Sequence, residues 1–137
     1  MSLHVGKVAQ VDPIWSALRE QAEEFAAREP AIAGLAHGTI LQHDRLEDAL
    51  AYLLAAKIGG EGVTPMLARE VFEEAMKADP EIAAAVRADL SAVFERDPAC
   101  HSYAQAFLFF KGFHALQSYR IAHWLYKHNR APFAYFI

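Results

Sequence analysis

Prolines that follow a capping residue divide this sequence into helical segments. Five of its six prolines come directly after Asp, Glu or Thr. Proline suits the first position of an α-helix, where its missing N–H would have no partner, and Asp or Thr can accept hydrogen bonds from the free N–H groups of the first turn. Three pairs are therefore predicted to begin helices: Asp12-Pro13, Thr64-Pro65 and Asp79-Pro80.

The apolar residues after these pairs recur at spacings of three and four, which is typical of amphipathic helices. Two further helices are predicted between the first pair and the second. One begins at Pro30 and has a weaker pattern, and the other is capped by Asp44 and ends at Gly59-Gly60.

The last part of the chain is helical in propensity but apolar on most sides. The stretch Ala104–His128 is apolar nearly all round, a pattern typical of a buried or oligomeric helix. Gly112 is predicted to divide it into a short helix and a long one, and Asn129 with Pro132 to end the long helix. No segment alternates with period two, so we expect no β-sheet.

The sequence thus predicts an all-α protein, a multi-helix bundle of about six to eight helices. Its 137 residues, 54% of them hydrophobic, suffice for one domain with a sizeable core. We expect a flexible lead-in over residues 1–12 and one helical domain over residues 13–137.

Charge is distributed unevenly along the chain. Residues 1–102 contain 9 basic and all 17 acidic side chains, whereas residues 103–137 contain 4 basic residues, no acidic residue and 11 of the 16 aromatic residues. The net charge of −4 disfavours a general nucleic-acid binder.

No apolar run reaches the roughly 18 residues of a membrane span. A single cysteine, Cys100, rules out an intrachain disulfide and suits a reducing cytoplasm.

The seven histidines do not predict a metal site. No Glu is followed three residues later by His, as helical dimetal sites require, and His114 and His123 are too far apart on one helix for a single ion. The neighbours Cys100 and His101 could suggest an activated thiol, but adjacency in sequence is poor evidence, and a small half-buried cysteine is expected instead.

Asp97 has two interpretations. Its carboxylate can accept a hydrogen bond from a nearby backbone N–H and so shape the Asp-Pro turn. Alternatively, it is presented from a rigid corner to a cationic group of a ligand. Residue type favours the first interpretation.

A longer block carries a family resemblance. The stretch Phe110–Leu125, FKGFHALQSYRIAHWL, resembles the signature block in the helical N-terminal region of bacterial and plant-type serine acetyltransferases. Upstream pieces agree in order: Glu29-Pro30, His43, Leu53–Lys57, Arg69-Glu70, Asp79-Pro80 and Arg96–Ala99. The similarity covers about residues 13–137.

The resemblance implies serine O-acetyltransferase activity, which converts L-serine and acetyl-CoA into O-acetyl-L-serine and CoA in cysteine biosynthesis. In this family a left-handed parallel β-helix follows the helical domain and supplies the catalytic His and Asp and the acetyl-CoA site. This sequence contains no hexapeptide repeat of that β-helix. We therefore expect no catalytic residue, metal or cofactor in this chain, and no acetyl transfer by it alone.

The resemblance assigns one binding residue. Asp97 matches the family aspartate that holds the ammonium group of L-serine, or of the inhibitor L-cysteine. Five residues of the signature block are interpreted as structural: Gly112, His114, Gln117, Arg120 and His123.

The resemblance also implies partners. The family forms hexamers, dimers of trimers joined by their helical domains, and binds O-acetylserine sulfhydrylase through an extreme C-terminal tail that this sequence lacks, so we expect no such complex. No nucleic acid or membrane partner is expected.

The alternative function is a stand-alone helical oligomerisation or adaptor module without catalysis. The exposed aromatic end, residues 133–137, favours the enzyme fragment over that module.

Overall fold

A computed structural model describes residues 12–137, and the predicted lead-in lies outside these residues except for Asp12. The described chain contains eight α-helices and no strand, as the all-α prediction requires. The helices are α1 (Pro13–Arg28), α2 (Ala33–Ala36), α3 (Leu46–Ile58), α4 (Pro65–Ala78), α5 (Pro80–Arg96), α6 (Tyr103–Phe109), α7 (Lys111–Lys127) and α8 (Ala131–Phe136). Across residues 12–137, no helix combines the length and the apolar character needed to cross a membrane.

The three predicted proline starts are confirmed. In each, proline occupies the first turn and the preceding side chain accepts a backbone N–H bond. Asp12 accepts from Trp15 at 3.2 Å and Thr64 accepts from Leu67 at 3.2 Å. Asp79 likewise accepts at 3.0 Å from the second residue of α5.

The start predicted for α3 is wrong. Arg45, not Asp44, precedes the helix, and no side chain caps it. The carbonyl of Asp44 instead accepts the indole N–H of Trp15 at 2.9 Å. The Arg45 guanidinium lies 3.0 Å from the carboxylate of Asp48, in the first turn of α3.

The weak helix predicted after Pro30 is a series of short segments. A 3-10 turn (Pro30–Ile32) leads into α2, which continues as the π-helical turn His37–Leu41. Arg19 of α1 fastens the end of this turn, because its Nη1 donates to the carbonyls of Leu41 at 3.2 Å and His43 at 2.7 Å. These bonds satisfy two carbonyl groups, at and just after the end of the turn, that would otherwise lack a helical N–H partner.

The core lies where α1, α3, α4, α5, α6 and α7 meet. Its largest fully buried apolar side chains come from these helices and from the π-helical turn: Leu18, Ile40, Leu46, Leu50, Leu54, Phe72, Val86, Leu90, Phe107, Ile121 and Leu125. Close packing of these side chains fixes how the helices are placed, and the helix ends are left at the surface.

The division predicted at Gly112 lies two residues earlier. Phe110 is the extended residue between α6 and α7, with φ −85° and ψ 104°, and Gly112 is inside the first turn of α7. The partly buried Phe110 side chain packs against the core, so side-chain packing and not glycine flexibility sets the break.

The end of α7 matches its prediction. Asn129 adopts the left-handed conformation with φ 64°, and the N–H of Arg130 donates to the carbonyl of Leu125 at 2.9 Å. This six-to-one bond is the Schellman motif, in which Gly or Asn closes a helix.

Candidate functional site: the groove beside Asp97

Asp97 ends α5 and shapes the turn that follows. Its Oδ1 accepts from the N–H of Ala99 at 2.9 Å, and its carbonyl accepts from the N–H of Cys100 at 2.9 Å. Pro98 prevents the helix from continuing. Among residues 12–137 nothing donates to Oδ2, and the side chain is exposed. One oxygen therefore builds the corner while the other stays available, so the two interpretations of Asp97 are compatible.

Asp97 borders an open groove of about 930 Å³. One wall is the C-terminal half of α5 with the Asp97-Pro98 corner, and the other is the junction of α6 and α7. The apolar lining comes mainly from both walls: Ala92, Val93, Phe109, Phe110, Phe113 and Leu116. Arg96 and Lys111 add positive charge to the same groove. A volume of this size is typical of small-molecule sites, and its charges are of both signs.

The two walls are joined by a polar cluster around Asp89, which also lines the groove. Asp89 of α5 accepts at Oδ2 from Nε2 of Gln117 at 2.8 Å and from Nη2 of Arg120 at 2.9 Å. Gln117 is completely buried. Because both donors belong to α7, these charge-assisted bonds hold α7 against α5.

Sequence reasoning missed Asp89. It lies three residues after Val86 and four before Val93, which is core spacing on α5. An acidic residue on the apolar face of a helix needs a buried donor, so this spacing was the signal that could have revealed the cluster.

The other residues of the signature block lie apart from the groove or make no contact across it. His114 is 5% exposed and its Nε2 donates to the carbonyl of Phe107 at 2.7 Å. His123 is exposed and stacks on Tyr119 at 5.8 Å. Gly112 borders the groove, and a Cβ at this position would meet nothing within 4 Å.

Burial governs the protonation of His114. Loss of solvent lowers the pKa of its imidazole, the hydrogen bond to Phe107 opposes this, and the positive charge of Lys57 lowers the pKa further. The ring is therefore neutral at pH 7, with its proton on Nε2.

Comparison with known proteins identifies the family. The family model described as "Serine acetyltransferase, N-terminal" matches residues 14–118. The chain belongs to the serine acetyltransferase family. That match includes Asp97, Asp89 and Gln117, and it ends within α7.

Relatives in this family extend beyond the chain. The serine acetyltransferase of Escherichia coli K12 is 41% identical over 128 residues, which are 93% of this chain and 47% of the relative. Serine acetyltransferase 2 of Arabidopsis thaliana is 42% identical over 119 residues, which are 87% of this chain and 37% of the relative. The chain thus spans about half the length, or less, of these curated relatives, and it corresponds to their N-terminal part.

Solved structures of serine acetyltransferases share the fold. The Brucella abortus S19 structure superposes with a TM-score of 0.88 at 40% identity, covering 92% of this chain and 52% of that one. The Neisseria gonorrhoeae structure, described as a complex with serine, has a TM-score of 0.88 at 41% identity, covering 93% and 53%. Sequence and fold therefore agree on the family.

No group of three or more metal-binding side chains occurs in the part of the chain that the structure describes. Cys100 is buried, and its thiol donates to the carbonyl of Ser102 at 3.3 Å. This contact explains Cys100 as a small core residue, more deeply buried than the half-buried position expected from the sequence.

Proposed function

We propose that this chain is the part of a serine O-acetyltransferase that holds L-serine and assembles the enzyme. The observation that carries the proposal is the free Oδ2 of Asp97 at the edge of a groove of ligand size. The substrate's ammonium group donates to this oxygen. L-Cysteine carries the same ammonium group and takes the same place.

Asp97 orients the substrate without activating it. A charge-assisted bond to the ammonium fixes the amino acid while its hydroxyl remains free to attack the thioester of acetyl-CoA. Attack also needs a base to take the hydroxyl proton. No histidine among residues 12–137 lines the groove. In the proposed enzyme the base and the acetyl-CoA site come from the remainder of a serine acetyltransferase, and we expect the 137-residue chain alone to be inactive.

Assembly is proposed for the outer surface of α7 and α8. We call this surface the aromatic face, and its exposed members are Leu116, Tyr119, Tyr126, Tyr135 and Phe136. Tyr135 is 75% exposed, its ring centroid lies 6.4 Å from that of Tyr126, and exposed apolar side chains that cluster in this way are typical of an interface. The aromatic face supports homo-oligomerisation, either within the enzyme or in a stand-alone assembly module without catalysis. The aromatic face as defined contains no basic residue, so we do not propose a nucleic-acid partner. We propose a cytoplasmic location, because a free thiol such as that of Cys100 suits a reducing compartment.

A hybrid enzyme tests the proposed function. Replacing the matching N-terminal part of the E. coli relative with this chain supplies the rest of a serine acetyltransferase, and thiol release from acetyl-CoA then reports turnover. Asp97→Asn keeps the size of the side chain but removes its charge. We expect this variant to raise KM for L-serine by about tenfold or more, as the loss of a charge-assisted bond implies, with KM for acetyl-CoA unchanged.

Asp79→Asn is the matched control, because Asp79 also caps a helix end but does not border the groove. It should leave KM for L-serine unchanged. An unaltered KM for L-serine in Asp97→Asn, in a hybrid that turns over, would contradict the proposed role. Turnover by the 137-residue chain alone would contradict its proposed inactivity.

A further inference from the structure

A second cavity lies beside His114, between the end of α3 and the first turns of α7. Its volume is about 410 Å³. One side is apolar, with Leu54, Ile58 and Ala115, and the other carries polar groups from three residues besides His114: Lys57, Lys111 and Ser118. This volume exceeds what a single ion needs and suits a small organic molecule.

The charge of this cavity is unusual for the molecule. Lys57 and Lys111 line it, and no acidic residue from positions 12–137 does. Each of the four other cavities described is lined by at least one Asp or Glu. Within residues 12–137 neither lysine makes an ion pair. The cavity therefore presents two uncompensated positive charges beside an apolar wall.

His114 supplies a second, independent observation. Its Nε2 is occupied by the carbonyl of Phe107, whereas its buried Nδ1 contacts no hydrogen-bond partner in the described part of the chain. Buried polar atoms are rarely left without a partner, and such exceptions call for an explanation. Nδ1 is the atom that gains a proton when the ring becomes cationic. A negative charge in the cavity would stabilise that cation.

We propose that the cavity beside His114 binds a small organic anion, whose carboxylate or phosphate group lies between Lys57 and Lys111 and whose apolar part contacts Leu54 and Ile58. The two ammonium groups provide the attraction, and the first turn of α7 adds the positive end of its helix dipole. The bound anion opposes the field of Lys57 at His114 and so favours protonation of Nδ1.

Proton NMR of the imidazole side chains tests this proposal with two probes, butyrate and inorganic phosphate, at constant ionic strength in chloride. His114→Gln assigns the resonance by removing it. We expect at least one probe to shift the His114 resonance saturably and to raise the pKa of His114. Saturation with butyrate identifies a carboxylate ligand, and saturation with phosphate alone identifies a phosphate ligand. Either result supports the site.

Lysine variants test its location. Lys57→Gln and Lys111→Gln should each weaken binding of the active probe by about tenfold, the scale of one charge-assisted contact. Lys77→Gln is the matched control, since Lys77 is also an exposed lysine in the last turn of a helix but borders an acid-lined cavity. The proposal is overturned if neither probe gives a saturable response, or if Lys77→Gln weakens binding as much as Lys57→Gln does.

Discussion

Arg87 of α5 joins the starts of two other helices, and replacing it measures what that junction contributes to stability. Its Nε donates at 2.9 Å to the carboxylate of Asp12, which caps α1. Its Nη1 donates at 3.1 Å to Glu47, in the first turn of α3, and at 3.0 Å to the carbonyl of Ala83. The Arg87 side chain is 24% exposed, so solvent screens these contacts only in part.

The magnitude follows from what Arg87→Met leaves behind. Hydrogen bonds to charged groups contribute about 1.5–3 kcal/mol each, and breaking a fully buried ion pair costs about 3–5 kcal/mol. Both carboxylates remain close to helix N-termini, which partly stabilise them by about 0.3–1 kcal/mol each. We therefore expect Arg87→Met to lower the free energy of unfolding by about 2–3 kcal/mol at pH 7.

The stability that Arg87→Met loses should depend on pH, and it should be smaller at acidic pH. Burial raises the pKa of Asp12, but hydrogen bonds from Arg87 and from the N–H of Trp15 outweigh it and hold the pKa below 3.8. Stability from this depressed pKa is complete above 3.8 and is lost as the pH falls through the folded-state value. The difference between wild type and Arg87→Met should therefore shrink when the pH is lowered into the range where Asp12 is protonated.

Urea unfolding at neutral and acidic pH measures both effects. Arg45→Met is the control, because the Arg45–Asp48 pair is also charged but the Arg45 side chain is 66% exposed. Arg45→Met should lower the free energy of unfolding by no more than about 0.5 kcal/mol. The reasoning fails if Arg87→Met costs no more than this control at pH 7, or if its cost is the same at both pH values.

Two further predictions concern the end of α7 and the aromatic face. Asn129→Ala should lower the free energy of unfolding by about 1 kcal/mol because of the positive φ at this position, whereas Asn129→Gly should be neutral or stabilising; equal urea midpoints for the two variants would contradict this. Wild type should self-associate in light scattering, and Tyr126→Lys with Tyr135→Lys should shift it to monomer. A monomeric wild type at micromolar concentration would count against the aromatic face as an interface.

Local signals in the sequence predicted most of the fold. A proline after Asp or Thr specifies a helix start through bonds within three residues, and the positive φ of Asn129 specifies a helix end through a bond that spans five residues. The π-helical turn His37–Leu41 could not be predicted so directly, because it is fastened by Arg19, more than twenty residues away. The prediction that Asp44 caps α3 was wrong for a similar reason. The indole N–H of Trp15, far away in sequence, donates to the carbonyl of Asp44.

The candidate site was predictable only in part. The family resemblance singled out Asp97, but residue type could not show that one carboxylate oxygen shapes the turn while the other remains free. Asp89 and its two donors were predictable in principle from an acidic residue at a core position. The pairing itself joins residues 28 and 31 positions apart and depends on how two helices pack.

The junction between α6 and α7 explains why these parts form one site. Asp97 stands at the end of α5, and a lone exposed carboxylate there would bind an ammonium group weakly. Phe110 breaks the helix so that α7 begins opposite that corner, and Asp89 holds α7 in this place through Gln117 and Arg120. Lys111, the first residue of α7, consequently lines both the groove and the cavity beside His114. The position of one helix start therefore sets one wall of each cavity and places the same lysine in both.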